Sequence, residues 1–211
     1  MNFNQPFDPG EALALILALC MIGLTDFQSG AALYGVQSAV LGMLAIYIGH
    51  IHHAPLLVLV GCAVVLLKGF AVPTYLRFAA HRLGCRRDGD MIVAPPLQLA
   101  LALAGMSLLF LLRPLRDELS LSALPAVGII MLGMMLMITR RLAVNQIVGF
   151  LVMENGIFLY TIAQPHTMPI MVEIGVLMDV LAVTMLAGLL VFRISSTFEH
   201  VDVAELTELR G

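Results

Sequence analysis

Four ionisable residues stand where few are tolerated. Lys68 is embedded in VVLLKGFAVP, Glu154 in GFLVMENGIF, and Glu173 and Asp179 in VEIGVLMDVL. A charged side chain at the centre of a membrane helix costs about 2.5–3.5 kcal/mol on insertion scales. Residues kept at that cost usually face a cavity or a partner and move ions. Glu154 reads as a proton-accepting carboxylate, whose protonation depends on what stands beside it. The bland alternative is a permanently protonated, hydrogen-bonded packing residue. Asp179 lies at a comparable depth in its own segment, so the two acids can face each other across antiparallel helices. Glu173 is six residues earlier, or about 120° round the helix, and cannot share the face of Asp179. Lys68 is too central for easy snorkelling to either interface. An ion-pairing or titrating role is expected of it. Gly69 and Pro73 follow, and the proline removes a backbone hydrogen bond and favours a kink.

The elements that must hold these residues are membrane helices. The chain has 211 residues, 60% hydrophobic and 12% charged, against about 25% charged in soluble domains. Its mean hydropathy is +0.98. A bilayer core of about 30 Å needs roughly 20 apolar residues as a helix. Seven segments qualify: about 11–25, 31–50, 55–79, 95–113, 123–139, 144–163 and 169–193. In lipid the backbone must satisfy its own hydrogen bonds, and period-2 alternation is absent, so the segments are expected to be helices rather than barrel strands. The predicted fold is therefore all-α, a polytopic bundle of about seven transmembrane helices. Three regions are expected: 1–113 with four helices, 114–195 with three, and a tail over 196–211.

Arginines set the orientation. Arg77, Arg82, Arg86, Arg87, Arg140, Arg141, Arg193 and Arg210 fall on one side of a seven-helix chain, and only Arg113 and Arg116 on the other. That predicts a periplasmic N-terminus and a cytoplasmic C-terminus. The N-terminal residues carry no positive stretch ahead of the first apolar segment, which is expected to stay as a helix. The tail from Ser195 is acidic, with apolar residues at Phe198, Val201, Val203, Leu206 and Leu209. It reads either as an amphipathic segment lying on a neighbouring cytoplasmic protein or as a solvated terminus.

Other residue types exclude other chemistries. Cys20, Cys62 and Cys85 show no CxxC spacing, so neither a disulfide framework nor a metal knuckle is implied. His50, His52 and His53 cluster at a helix end, and an interfacial role is favoured over a metal site, which needs a defined ligand set. Met131, Met134, Met135 and Met137 read as lipid-facing or helix-packing surface. There is no CxxCH, GxGxxG or Walker pattern, so no cofactor is expected. A net charge of −3 argues against nucleic acid as a partner. Membrane lipid is the expected surrounding.

Two stretches carry a family resemblance. LGMMLMITRRLAVNQIVGFLVMENGIF resembles the first two helices of subunit K of respiratory complex I, a family that also includes a small membrane component of the multisubunit sodium/proton antiporters. Arg140-Arg141 precede Asn145, and Glu154 lies nine residues after that asparagine. Leu142-Ala143-Val144 look like a small insertion. That resemblance covers residues 123–195. Over most of its length the chain more closely resembles hydrogenase 4 component E, above all in Glu154-Asn155-Gly156, VEIGVLMDVL and the terminus FEHVDVAELTELRG.

The resemblance implies a non-catalytic membrane subunit of a group 4 hydrogenase-like or complex I-like assembly in a bacterial or archaeal inner membrane. Antiporter-like subunits would be its neighbours. A peripheral redox arm would be coupled to proton (or sodium) movement, with the C-terminal tail a contact to that arm. Glu154 would match the proton-path glutamate of the subunit K second helix. The third-helix acid would match Asp179 by spacing to the terminal arginine, or Glu173 by residue type. A stand-alone secondary transporter and a scaffold without ion transfer are the competing readings.

Overall fold

The computed structural model describes residues 9–24, 26–82, 92–112, 123–141 and 143–163. The expected segment 169–193 with Glu173 and Asp179, the tail, and the arginine-bearing connections around Arg86 and Arg116 lie outside the described residues. The described elements are all helical: α1 (Pro9–Gly23), α2 (Phe27–Ile51), α3 (Pro55–Val64), a π-helical segment (Val65–Ala71), α4 (Val72–Arg82), α5 (Pro95–Leu112), α6 (Ala123–Thr139) and α7 (Ala143–Ala163). Each coincides with one of the first six apolar runs. Three stretches are long and apolar enough to cross a membrane: Phe27–Ile51, Pro55–Phe78 and Asn145–Ala163. Pro9–Gly23, Pro95–Leu108 and Ala123–Thr139 are shorter apolar helices.

Local sequence explains the breaks. Asp26 caps α2, accepting hydrogen bonds from the Ser29 backbone N–H at 3.0 Å and hydroxyl at 2.8 Å, which satisfies donors that a helix start leaves open. His53 ends the α2 turn with φ of 50°, and the Ala54 N–H returns to the Gly49 carbonyl at 2.8 Å. Pro55 then opens α3, where a missing N–H does no harm. The stretch Pro55–Arg82 is continuous but not uniformly α-helical. The Val72 N–H bonds the Leu67 carbonyl, five residues back, and Pro73 contributes no N–H at all. The chain widens its turns immediately before the proline that marks the irregularity in the sequence.

The helices alternate in direction. The carboxyl end of α1, the amino end of α2, the carboxyl end of α6 and the amino end of α7 meet at one end of the bundle. Arg140 is buried there and donates to the carbonyls of Met21 at 3.3 Å and Ile22 at 3.2 Å. A guanidinium on the open carbonyls of a helix C-terminus satisfies acceptors and complements the helix dipole. The Ile92 N–H reaches the Thr139 carbonyl at 3.1 Å, bringing the approach to α5 to the same end.

Two antiparallel pairs, α2 with α3 and α6 with α7, pack through small residues, as helices do where lipid supplies no hydrophobic drive. A Cβ on Gly42 would lie 2.9 Å from the Gly61 carbonyl oxygen and 2.6 Å from Val65 Cγ2. A Cβ on Gly133 would run into the Met153 backbone. Gly42→Ala is therefore expected to cost about 1–3 kcal/mol through overpacking, read as a lowered thermal unfolding midpoint of the full chain in detergent. An unchanged midpoint would mean that the two helices are not in this close register.

The methionine run divides as its two readings allow. Met131 and Met134 are exposed on α6, Met135 packs on the core, and Met137 lies against Gly149 of α7.

Candidate functional site

α7 presents two polar residues in sequence, Glu154 and Asn155. Neighbours on a helix point about 100° apart, so they meet different partners. Glu154 reaches the π-helical segment: Lys68 Nζ donates to its Oε1 at 2.8 Å, and the two side chains, lysine first, are 4% and 2% exposed. Phe158, one turn further along α7, places its ring centroid 6.0 Å from the same ammonium, the outer limit of a cation–π contact. Two of the charges singled out from the sequence, 86 residues apart in the chain, are thus one buried ion pair near the middle of both helices.

The π geometry serves this contact. Such segments are rare and recur at functional sites. Here the segment lies against α2, where a Cβ on Gly35 would be 2.7 Å from Pro73 Cγ and 2.9 Å from the Gly69 carbonyl oxygen. Gly35 lets the widened turn approach α2 closely, and Lys68 on that segment is buried although its neighbours Leu66, Leu67 and Phe70 are exposed.

Asn155 turns to α2. Its Nδ2 donates to Gln37 Oε1 at 3.1 Å and to Ser38 Oγ at 2.9 Å. Gln37 Nε2 in turn donates to the Ala14 carbonyl of α1 at 3.0 Å. The amide orientations follow from that last bond. A backbone carbonyl only accepts, so Gln37 must show it the NH2 group. Its oxygen then faces Asn155, which must answer with its own NH2. Asn155 Oδ1 is consequently turned away, buried, and without a hydrogen-bond partner. Lys68, Glu154, Asn155, Gln37 and Ser38 are all buried. They form a polar layer crossing α1, α2, the π-helical segment and α7.

Sequence reasoning finds Lys68 and Glu154 and misses the amide half of the layer. The signal is present: Gln37 and Ser38 are adjacent polar residues in the middle of an otherwise apolar run. Glu11, in the first turn of α1, is also buried. Its place at the edge of an apolar run gives no sign of that. Among the described residues, no three His, Cys, Asp or Glu side chains converge as metal ligands. His50 and His53 instead edge an open groove at the other end of the bundle with Gly49, Pro55 and Val58.

Known proteins share this chain's length and pattern. The chain is 24% identical over 204 residues to hydrogenase-4 component E of Escherichia coli K12, covering 94% of each chain. This chain is similar to hydrogenase-4 component E along nearly its whole length. Hydrogenase-4 component E of Shigella flexneri matches to the same extent. An uncharacterised protein of Mycobacterium tuberculosis is 27% identical over 216 residues, covering 99% of this chain and 98% of that one. No family model matches the chain, and no solved structure does. The similarity to hydrogenase-4 component E agrees with the resemblance read from Glu154-Asn155-Gly156 and the terminal motifs.

Proposed function

We propose that this chain is a non-catalytic membrane subunit of a hydrogenase-like, complex I-like assembly, and that the Lys68–Glu154 pair carries a proton step within it. The observation that carries the reading is the 2.8 Å ion pair, buried at mid-height between two apolar helices. The near full-length similarity to hydrogenase-4 component E supports the setting. In this reading the chain crosses the inner membrane seven times, from a periplasmic N-terminus to a cytoplasmic C-terminus. Residues 123–195 are the part related to complex I subunit K. Antiporter-like subunits and a peripheral redox arm are the neighbours, and Asp179 or Glu173 is the next acid after Glu154.

The pair suits a proton step because its charges depend on each other. Taking two charges out of water is repaid only while they compensate each other. When Glu154 accepts a proton, the Lys68 ammonium loses its counter-charge in a low-dielectric site. Release of a proton from Lys68 then restores neutrality. One proton is taken up, one is given out, and the pair returns when the lysine is reprotonated and Glu154 passes its proton on. A sodium ion at Glu154 would have to share the carboxylate with the Lys68 ammonium, and the two cations would repel each other.

The secondary-transporter reading has one observation in its favour, since transporters use interrupted helices near the midplane and Val65–Ala71 interrupts Pro55–Arg82. Purification of the native protein in mild detergent separates the two. Co-purification with antiporter-like and redox subunits is expected. Recovery as a free monomer that moves ions across liposomes would defeat the subunit reading.

A further inference from the structure

Two independent features point to a supply of water for the polar layer. The first is a cavity of about 30 Å³ at the end of the bundle where Arg140 clamps α1. Its lining includes Asp26, Gly30, Arg140, Asn145, Val148 and Gly149. That volume has room for roughly one or two waters, and Arg140 and Asn145 supply polar partners. The second is the buried, unpartnered Oδ1 of Asn155. A buried polar atom of this kind calls for a donor, most often water.

The two lie in line. α2 and α7 both start at the cavity and run parallel. Gly30 is seven residues before Gln37, and Val148 is seven before Asn155. Seven residues return a helix to within about 20° of the same face and advance it by about 10 Å. The cavity is thus directly beneath the amide cluster on both helices. Buried Tyr34 and Val152 occupy the interval. Long side chains on a helix lean toward its N-terminus, which for Tyr34 is the direction of the cavity.

We infer that the cavity walled by Gly30, Asn145 and Val148 is the water inlet of the polar layer, passing Tyr34 to a water bound at Asn155 Oδ1, from which Glu154 receives protons. The proton-delivery part rests on the function proposed above; the hydration part does not. Each delivery moves a proton from a protonated water to the carboxylate and leaves neutral water, so no other reactant is needed.

Gly30 offers a clean plug. A Cβ added there meets nothing within 4 Å, and the same holds at Gly23, which does not line the cavity. The test uses the full chain with its native partners in membrane vesicles, with Cys20, Cys62 and Cys85 replaced and Val152→Cys introduced. Methyl methanethiosulfonate is the probe, since it reacts with thiolate, which forms only where water reaches. Labelling of Val152→Cys is expected, slowed at least about tenfold by Gly30→Leu and unchanged by Gly23→Leu. Should Gly30→Leu fail to assemble, Gly30→Val makes the same test with a smaller plug.

An unreactive Val152→Cys overturns the inlet, and so does labelling that ignores both plugs at Gly30. The labelling requires no proton transport. A chain that labels as expected, but whose Glu154→Gln variant translocates protons normally, would sink the proposed function and leave the inlet standing.

Discussion

Replacing Glu154 by glutamine is expected to abolish proton translocation, or reduce it sharply, while the complex still assembles. The side chains are nearly isosteric. The glutamine carbonyl can keep the hydrogen bond that Lys68 Nζ now gives to Oε1 at 2.8 Å. Helix packing around the residue, including Asn155 and its bonds to Gln37 and Ser38, is untouched. What is lost is the charge of the carboxylate, the counter-charge of Lys68, and with it the ability to take up and pass on a proton. The measurement is proton uptake by vesicles carrying the assembled complex, driven by its own electron donor and normalised to assembled protein. Normal pumping in the variant would leave Glu154 as a packing residue and put the scaffold reading ahead.

Lys68→Met tests the pair from the other side. Methionine keeps most of the length and apolar stem but leaves Glu154 without its ammonium. Removing one member of a buried pair is expected to destabilise the fold by about 3–5 kcal/mol, a large share of a typical total of about 5–15 kcal/mol. Adding Glu154→Leu should recover most of that loss, because an apolar pair of similar volume is often as stable as the ions it replaces. The double variant should nevertheless fail to move protons. Unfolding midpoints of the wild-type chain, the two singles and the double in detergent complete the cycle. Strict additivity of the two single losses would show that the residues do not interact in the folded chain.

The apolar runs make the helices legible. The segments predicted at 31–50 and 123–139 appear as Phe27–Ile51 and Ala123–Thr139. A long apolar run leaves its backbone few alternatives, so composition alone finds the helix. The contact between Lys68 and Glu154 is not legible. Each residue announces itself by its cost, but nothing local reveals which helices are neighbours. The amide cluster is hidden for a different reason. Gln37, Ser38 and Asn155 are cheap in a helix, and only their convergence makes them a layer. The π-helical segment depends on both levels. Pro73 signals an irregularity, but the close approach of Gly35, on another helix, to Pro73 and Gly69 is not visible from local sequence.

The helix that carries Lys68 is also one of the least enclosed. Of its apolar window only 22% is buried, against 61% for that of α7, and Leu66, Leu67 and Phe70 form its outer face. A neighbouring helix docked there would have its axis about 8–10 Å from this one, with the inward-turned ammonium on the far side of the Lys68 helix. In the proposed reading, a neighbouring subunit docked on this uncovered face would bring its charges to bear on the buried pair through the helix that carries Lys68.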